Sequence, residues 1–275
     1  MRRRGTPGGF AVAAVAYGVA VFLLLPTILI VPMSFGPERF LRFPPNGFSL
    51  RWYAAYFQDP DWIGPTLFSL QVGVLTAVVA VVSGTLVALA LVRGRLPARG
   101  AVELLVMGPV IVPNIALAIA MFLVFDRLRL IGTLFAFVLA HSALAMPFVV
   151  FTVLAALYRF DADLELAALS CGASRVRAFW HVTLPSIAPG VVSAALFAFI
   201  ISFDEPVISF FISDLDRKSL PRKMFEDIDY NVSPTLAAVA TMLSALTALC
   251  LAAGLLMRRG GRTDRINPEP EGPRA

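Results

Sequence analysis

The sequence predicts an all-α, polytopic membrane protein with six transmembrane helices, and three observations lead there. Hydrophobic residues make up 58% of the 275-residue chain, a share that places it outside the range of soluble domains. Six apolar runs are each long enough to cross about 30 Å of hydrocarbon at about 1.5 Å of helix rise per residue. The lysines and arginines between these runs are unevenly distributed.

The first run, residues 10–33, follows Arg2, Arg3 and Arg4. It exceeds the roughly 7 to 15 apolar residues of a signal peptide, so a retained anchor is expected. The second run, 65–92, ends on Arg93, Arg95 and Arg99, with no acidic residue from 93 to 99. The third, 102–125, contains Pro109, Pro113 and Asn114. The fourth, 132–157, carries His141, expected to form an interhelical hydrogen bond. The fifth, 189–212, contains Asp204, Glu205 and Pro206, and the sixth, 234–257, is apolar throughout. We read 1–275 as a single transmembrane domain with its core at about 10–257. The Gly-, Pro- and charge-rich tail 258–275 is expected to be disordered.

The positive-inside rule sets the orientation. With both termini in the cytoplasm, 14 of the 23 lysines and arginines lie on the inner face and 9 on the outer face. This arrangement also places the polar stretch 158–188 in the cytoplasm.

Several chemistries are excluded. A phosphate-binding loop needs Gly-Lys followed by Ser or Thr, and the only lysines, Lys218 and Lys223, each follow an arginine. The two histidines and two cysteines have no metal-site spacing, so no metal, cofactor or catalytic residue is expected. Cys171 and Cys250 fall at different membrane depths and are not expected to pair. The net charge of +5 reflects topology and not nucleic-acid binding, because no basic patch is interleaved with aromatic residues.

Polar groups at membrane depth are the candidates for a solute pathway. An ionisable side chain in mid-span costs about 2.5–3.5 kcal/mol and persists where it lines a cavity or finds a partner. Asp204 and Glu205 have apolar sequence on both sides, and Pro206 leaves the carbonyl of Ser202 without its helical partner. They form either a cation-attracting rim on a pathway or an early end of the span at the headgroups. Pro109 and Pro113 loosen the third helix, so that Asn114 offers a donor and an acceptor there, for a solute or for a neighbouring helix.

The most informative stretch is Asp161 to Pro185. Read as a helix, its first half puts Leu164, Ala167, Ala168 and Cys171 on one small apolar face. Asp161 or Asp163 can cap it, and Glu165 suits the positive end of its dipole. Gly172 stops it, Ser174 starts a second helix, and Leu184 with Pro185 is expected to end that one. Glu165, Ala167, Ala168, Gly172, Leu184 and Pro185 together resemble the EAA loop of permease subunits of bacterial ABC importers, although Leu166 stands where the family usually has a glutamate.

The resemblance runs from about Val31 to Leu255 and is closest to the second permease of spermidine/putrescine importers. Phe48–Tyr53, Val112–Ile115, Met146–Val149 and Phe203–Glu205 followed by Val207 carry it. It implies a type I ABC importer permease fold in the bacterial inner membrane and coupling through the loop residues named above. It also implies a homologous permease partner, two cytoplasmic ATPase subunits and an extracytoplasmic substrate-binding protein. Asp204, Glu205 and Asn114 would line the substrate pathway. Asn114 replaces an aspartate usual in the polyamine branch, which leaves open a less charged amine, an amino-sugar conjugate or an organic anion. The alternative is a secondary transporter driven by an ion gradient through Asp204, Glu205 and His141, which would have no need of the 161–185 loop.

Overall fold

The computed structural model describes residues 7–94, 96–214, 217–230 and 233–260, and every regular element among them is helical. The N-terminal arginines lie outside the described residues; of the tail 258–275, expected to be disordered, residues 258–260 belong to the C-terminal helix and the rest lie outside the described residues. The chain divides into two compact units, Met1–Asp59 with Asp227–Ala275, and Pro60–Glu226.

In the first unit, α1 (Pro7–Ser34) is apolar on every side, as a helix facing lipid requires. A short amphipathic α2 (Arg51–Gln58) follows, its start pinned by the Ser34 and Tyr53 hydroxyls 2.7 Å apart and by Trp52 Nε1 donating to the Gly36 carbonyl. The C-terminal helix of this unit, Pro234–Gly260, carries an apolar stretch over Pro234–Leu249.

In the second unit, α3 (Pro60–Arg93), α4 (Arg99–Ile111), α5 (Asn114–Arg127) and α6 (Leu134–Arg159) precede the 161–185 stretch. That stretch holds α7 (Ala162–Ser170), α8 (Arg175–Ala178) and a π-turn (Phe179–Thr183), and it runs into α9 (Leu184–Phe203). α10 (Val207–Ile212) and α11 (Leu220–Tyr230) follow, and the C-terminal helix is α12. One core cluster joins α3, α6 and α9 through Ala80, Ala88, Ala145, Val149, Val153, Ile187, Ala194 and Ala198. The alanines let the helix axes approach closely, since lipid gives no hydrophobic drive for pairing and contact must supply the energy. A second cluster packs α5 and α10 around Phe137, Leu144, Ile208 and Ile212.

Among the described residues, four helices are long and apolar enough to span a membrane, or five if the bent α4–α5 pair is one span, and Pro234–Leu249 is a shorter apolar helix. Two expectations are corrected here. The third run is not merely loosened: α4 and α5 meet at 106°, because Val112 and Pro113 are both extended and Pro113 lacks the N–H that would continue the ladder. The fifth span is not 189–212. Its helix runs Arg175–Phe203 and stops before the acidic pair.

Leu184 and Pro185 therefore do not end a helix. In the π-turn the Leu184 N–H bonds the carbonyl of Phe179, five residues back, and the ladder is already widened where Pro185 has no N–H to give.

Candidate functional site

Two arrangements in the second unit bear on function. The first is the 161–185 stretch. Asp161 caps α7 by accepting from the Asp163 N–H at 3.0 Å, as expected of one of the two aspartates. At the other end Gly172 adopts φ +87°, with Gly172 N bonded to Leu169 O and Ala173 N to Ala168 O. This pair of bonds is a Schellman ending, and it needs the left-handed conformation that glycine reaches without a Cβ clash. Ser174 then caps α8 through the Arg177 N–H.

α7 buries none of its residues. Leu164, Leu166, Ala167 and Cys171 are exposed, and so are Val176 and Trp180 beyond the turn, while Ala168 is half-buried. The predicted small apolar face is thus present and uncovered within this chain. Glu165 does not join it. Its carboxylate turns to Arg93 Nη1 at 2.9 Å and to the Thr183 hydroxyl at 2.7 Å. Leu184 and Pro185 lie at the start of α9, not on this face.

The second arrangement forms where two broken helices face each other. Residues 109–114 around the α4–α5 break, Ile201 in the last turn of α9 and Glu205 in the α9–α10 break line a pocket of about 440 Å³ with Leu144 and Phe148 of α6. Glu205 is 7% exposed. One of its oxygens accepts from the Ile208 N–H at 2.9 Å, and the other accepts from Asn114 Nδ2 at 3.4 Å. The carboxylate is therefore held in place at the pocket wall, its burial offset in part by two donors. Asp204 parts from this site: it ends α9, its N–H bonded to Ile200 O, and its side chain is exposed outside the pocket lining. Adjacent residues separate because the chain leaves helical geometry between them.

His141 makes the expected interhelical contact and spans the same break. Its Nδ1 lies 2.8 Å from Ser202 Oγ and its Nε2 3.3 Å from Ser209 Oγ, so one buried ring joins α9 to α10. Sequence reasoning missed the two serines, as it missed Arg93 and Thr183. All lie 18 to 90 residues from their partners, beyond the reach of local periodicity.

Residues 80–260 match the family described as binding-protein-dependent transport system inner membrane component. The chain is 30% identical over 247 residues to the spermidine/putrescine transport system permease protein PotC of Haemophilus influenzae, covering 90% of this chain and 96% of that protein. It is 29% identical to the putrescine transport system permease protein PotI of Escherichia coli (strain K12), covering 86% and 87%. Its fold matches a chain in the crystal structure of a bacterial ABC transporter involved in the import of the acidic polysaccharide alginate. That match has a TM-score of 0.70 at 16% identity, covering 94% of this chain and 98% of that one.

Proposed function

Because the chain belongs to the family of binding-protein-dependent transport system inner membrane components, as a non-catalytic permease subunit of an ABC importer, we propose that it carries polyamines or related small amines. ATP hydrolysis on partner chains drives the transport. The chain acts as one permease domain of six spans with the type I fold and both termini in the cytoplasm, the α12 segment supplying the sixth. Its partners are a homologous permease, two ATPase subunits and an outer substrate-binding protein.

The observation that carries the coupling role is the uncovered apolar face of α7. A nine-residue helix is too short to be stable alone, and this one leaves its apolar face exposed, so a partner surface docked there would supply the burial it lacks. Ala167 and Ala168 let that surface approach the backbone, and the Schellman turn at Gly172 holds the face at a fixed angle to α8. Leu184 and Pro185 contribute by carrying the helix on into α9, which links the docking face directly to a spanning helix.

The cation reading rests on Glu205, an acid fixed at the wall of the pocket beside Asn114. The two polyamine permeases named above, similar to this chain over most of its length, support the same class of substrate. Asp204, exposed just outside, adds negative charge near the site.

The test is uptake of radiolabelled spermidine and putrescine by proteoliposomes holding the complete complex and its binding protein. Uptake that requires ATP and persists with an uncoupler is expected. Uptake that survives without ATP and collapses with the uncoupler would make this a gradient-driven carrier, and ATP-dependent complexes that ignore both amines would overturn the substrate class alone.

A further inference from the structure

Neither the docking face nor the pocket accounts for the cluster at the foot of α3. Arg93 is the last residue of that helix, and its two terminal nitrogens grip both oxygens of Glu165, at 2.9 Å and 2.5 Å. Thr183 donates to the same carboxylate at 2.7 Å and receives the second Arg93 nitrogen at 3.3 Å. The guanidinium also lies 6.0 Å from the ring of Phe160, the residue that ends α6. One planar cation therefore gathers the ends of α3 and α6, the first turns of α7, and the π-turn that opens α9.

The chemistry suits a joint and not a surface ion pair. A bidentate guanidinium–carboxylate contact fixes orientation as well as distance. Thr183 is fully buried, and the Glu165 side chain is 18% exposed, so the contact is only partly screened. Among the described residues, the side-chain hydrogen bonds that leave α7 all start at Glu165, and α7 has no buried residue to anchor it otherwise.

We propose that Glu165 is a positioning residue for coupling: it does not contact the ATPase but, through Arg93 and Thr183, makes α7 move as one body with α3 and α9 when the ATPase moves the loop. The proposal rests on the reading of 161–185 as the ATPase contact and changes the part Glu165 plays in it. The helix docks by its apolar face and transmits by its acidic one.

The experiment uses the complete complex purified through a tag on this chain and reconstituted in nanodiscs, with ATP as the probe. The readouts are the ATPase subunits retained per permease, and kcat and KM for ATP. Glu165→Gln is expected to keep the bound ATPase and the KM while lowering kcat about tenfold, a barrier change of about 1.4 kcal/mol. Thr183→Val keeps the shape of the buried threonine and removes only its hydroxyl. It should lower kcat several-fold, and it sustains the test if the charge variants fail to reach the membrane. The exchange Arg93→Glu with Glu165→Arg should recover part of the kcat that either single change loses, which a purely space-filling role would not do.

Wild-type kcat in both Glu165→Gln and Thr183→Val overturns the proposal, and so does loss of the ATPase from the Glu165→Gln complex, which would make Glu165 a docking residue. Ala168→Glu in the same assay tests the underlying reading separately. If that variant keeps its ATPase and its kcat, the loop is not the contact at all.

Discussion

Replacing Gly190 by alanine tests how tightly the α6–α9 seam is built. A Cβ at position 190 would lie 2.5 Å from the Cβ of Ala156, where carbon atoms settle at about 3.5–4.0 Å. Both Cβ atoms are fixed by their backbones, so no side-chain rotation relieves the clash and the helices must part by about 1 Å. That movement loosens Ile187 and Leu157, which are buried in the core on either side. Overpacking of this kind costs about 1–3 kcal/mol, and alanine returns up to about 1 kcal/mol through helix propensity. The net loss should be about 1–2 kcal/mol, or roughly 2–8 °C in the apparent melting temperature for a chain of this size. The assay is thermal unfolding of the purified chain in detergent, followed by tryptophan fluorescence. Adding Ala156→Gly removes the opposing methyl and should restore most of the loss. An apparent Tm for Gly190→Ala at or above wild type, or a double variant no better than the single, would refute the close-packed seam.

Other perturbations probe the remaining features. Gly172→Ala should weaken coupling moderately, because a left-handed alanine costs about 1–2 kcal/mol and no neighbouring atom adds a clash, whereas Gly172→Pro should abolish coupled ATP hydrolysis with the protein still in the membrane; intact coupling in the proline variant would contradict the loop assignment. His141→Leu leaves the Ser202 and Ser209 hydroxyls buried without their shared partner, so it should lower the apparent Tm, and adding Ser202→Ala and Ser209→Ala should recover most of the loss; no recovery would mean that the ring acts by packing alone. Glu205→Ala should slow spermidine uptake at least tenfold and destabilise the chain by about 1–3 kcal/mol, since Ile208 N loses its acceptor; unchanged uptake would remove Glu205 from the pathway. Burial opposes ionisation of Glu226, but the hydrogen bonds from Lys218 and Arg222 outweigh it and hold its carboxyl below the ordinary 4.5. Its stabilising effect is therefore complete above the unfolded value and is lost as the pH falls through the lower folded value, so melting curves from pH 7 to 3 should show a shallower acid decline in Glu226→Gln.

The helices were legible because apolar runs of membrane length leave little choice of conformation, and the signals around 161–174 were legible because capping is local chemistry. Asp161, Gly172 and Ser174 act on neighbours within five residues, and each stands where its side chain or its lack of one predicts. Proline was the weaker guide. Pro113 marks a 106° break, while Pro185 and Pro189 sit in a helix that continues, Pro185 just after a π-turn that has already widened the ladder. The site residues divided for a similar reason. Asn114 and Glu205 were each identifiable as polar groups at membrane depth, but their meeting across 91 residues is set by two breaks whose angles the sequence does not encode locally. Glu205 turned inward and Asp204 outward for the same reason. Arg93 read only as a topology signal at the end of a span, and nothing near it in sequence points to Glu165.

The central claim is that the exposed face of α7 lies in the cytoplasm against an ATPase. Cys171, free and exposed on that face, gives direct access to it. In a Cys250→Ala background, Cys171 is labelled with a thiol-reactive benzophenone and irradiated in membranes containing the complete complex. The account predicts a cross-linked product of this chain with the ATPase subunit, and labelling by a membrane-impermeant maleimide only from the cytoplasmic side of inverted vesicles. Labelling from the outer side of intact cells, or irradiation that yields no adduct with the ATPase, would contradict it.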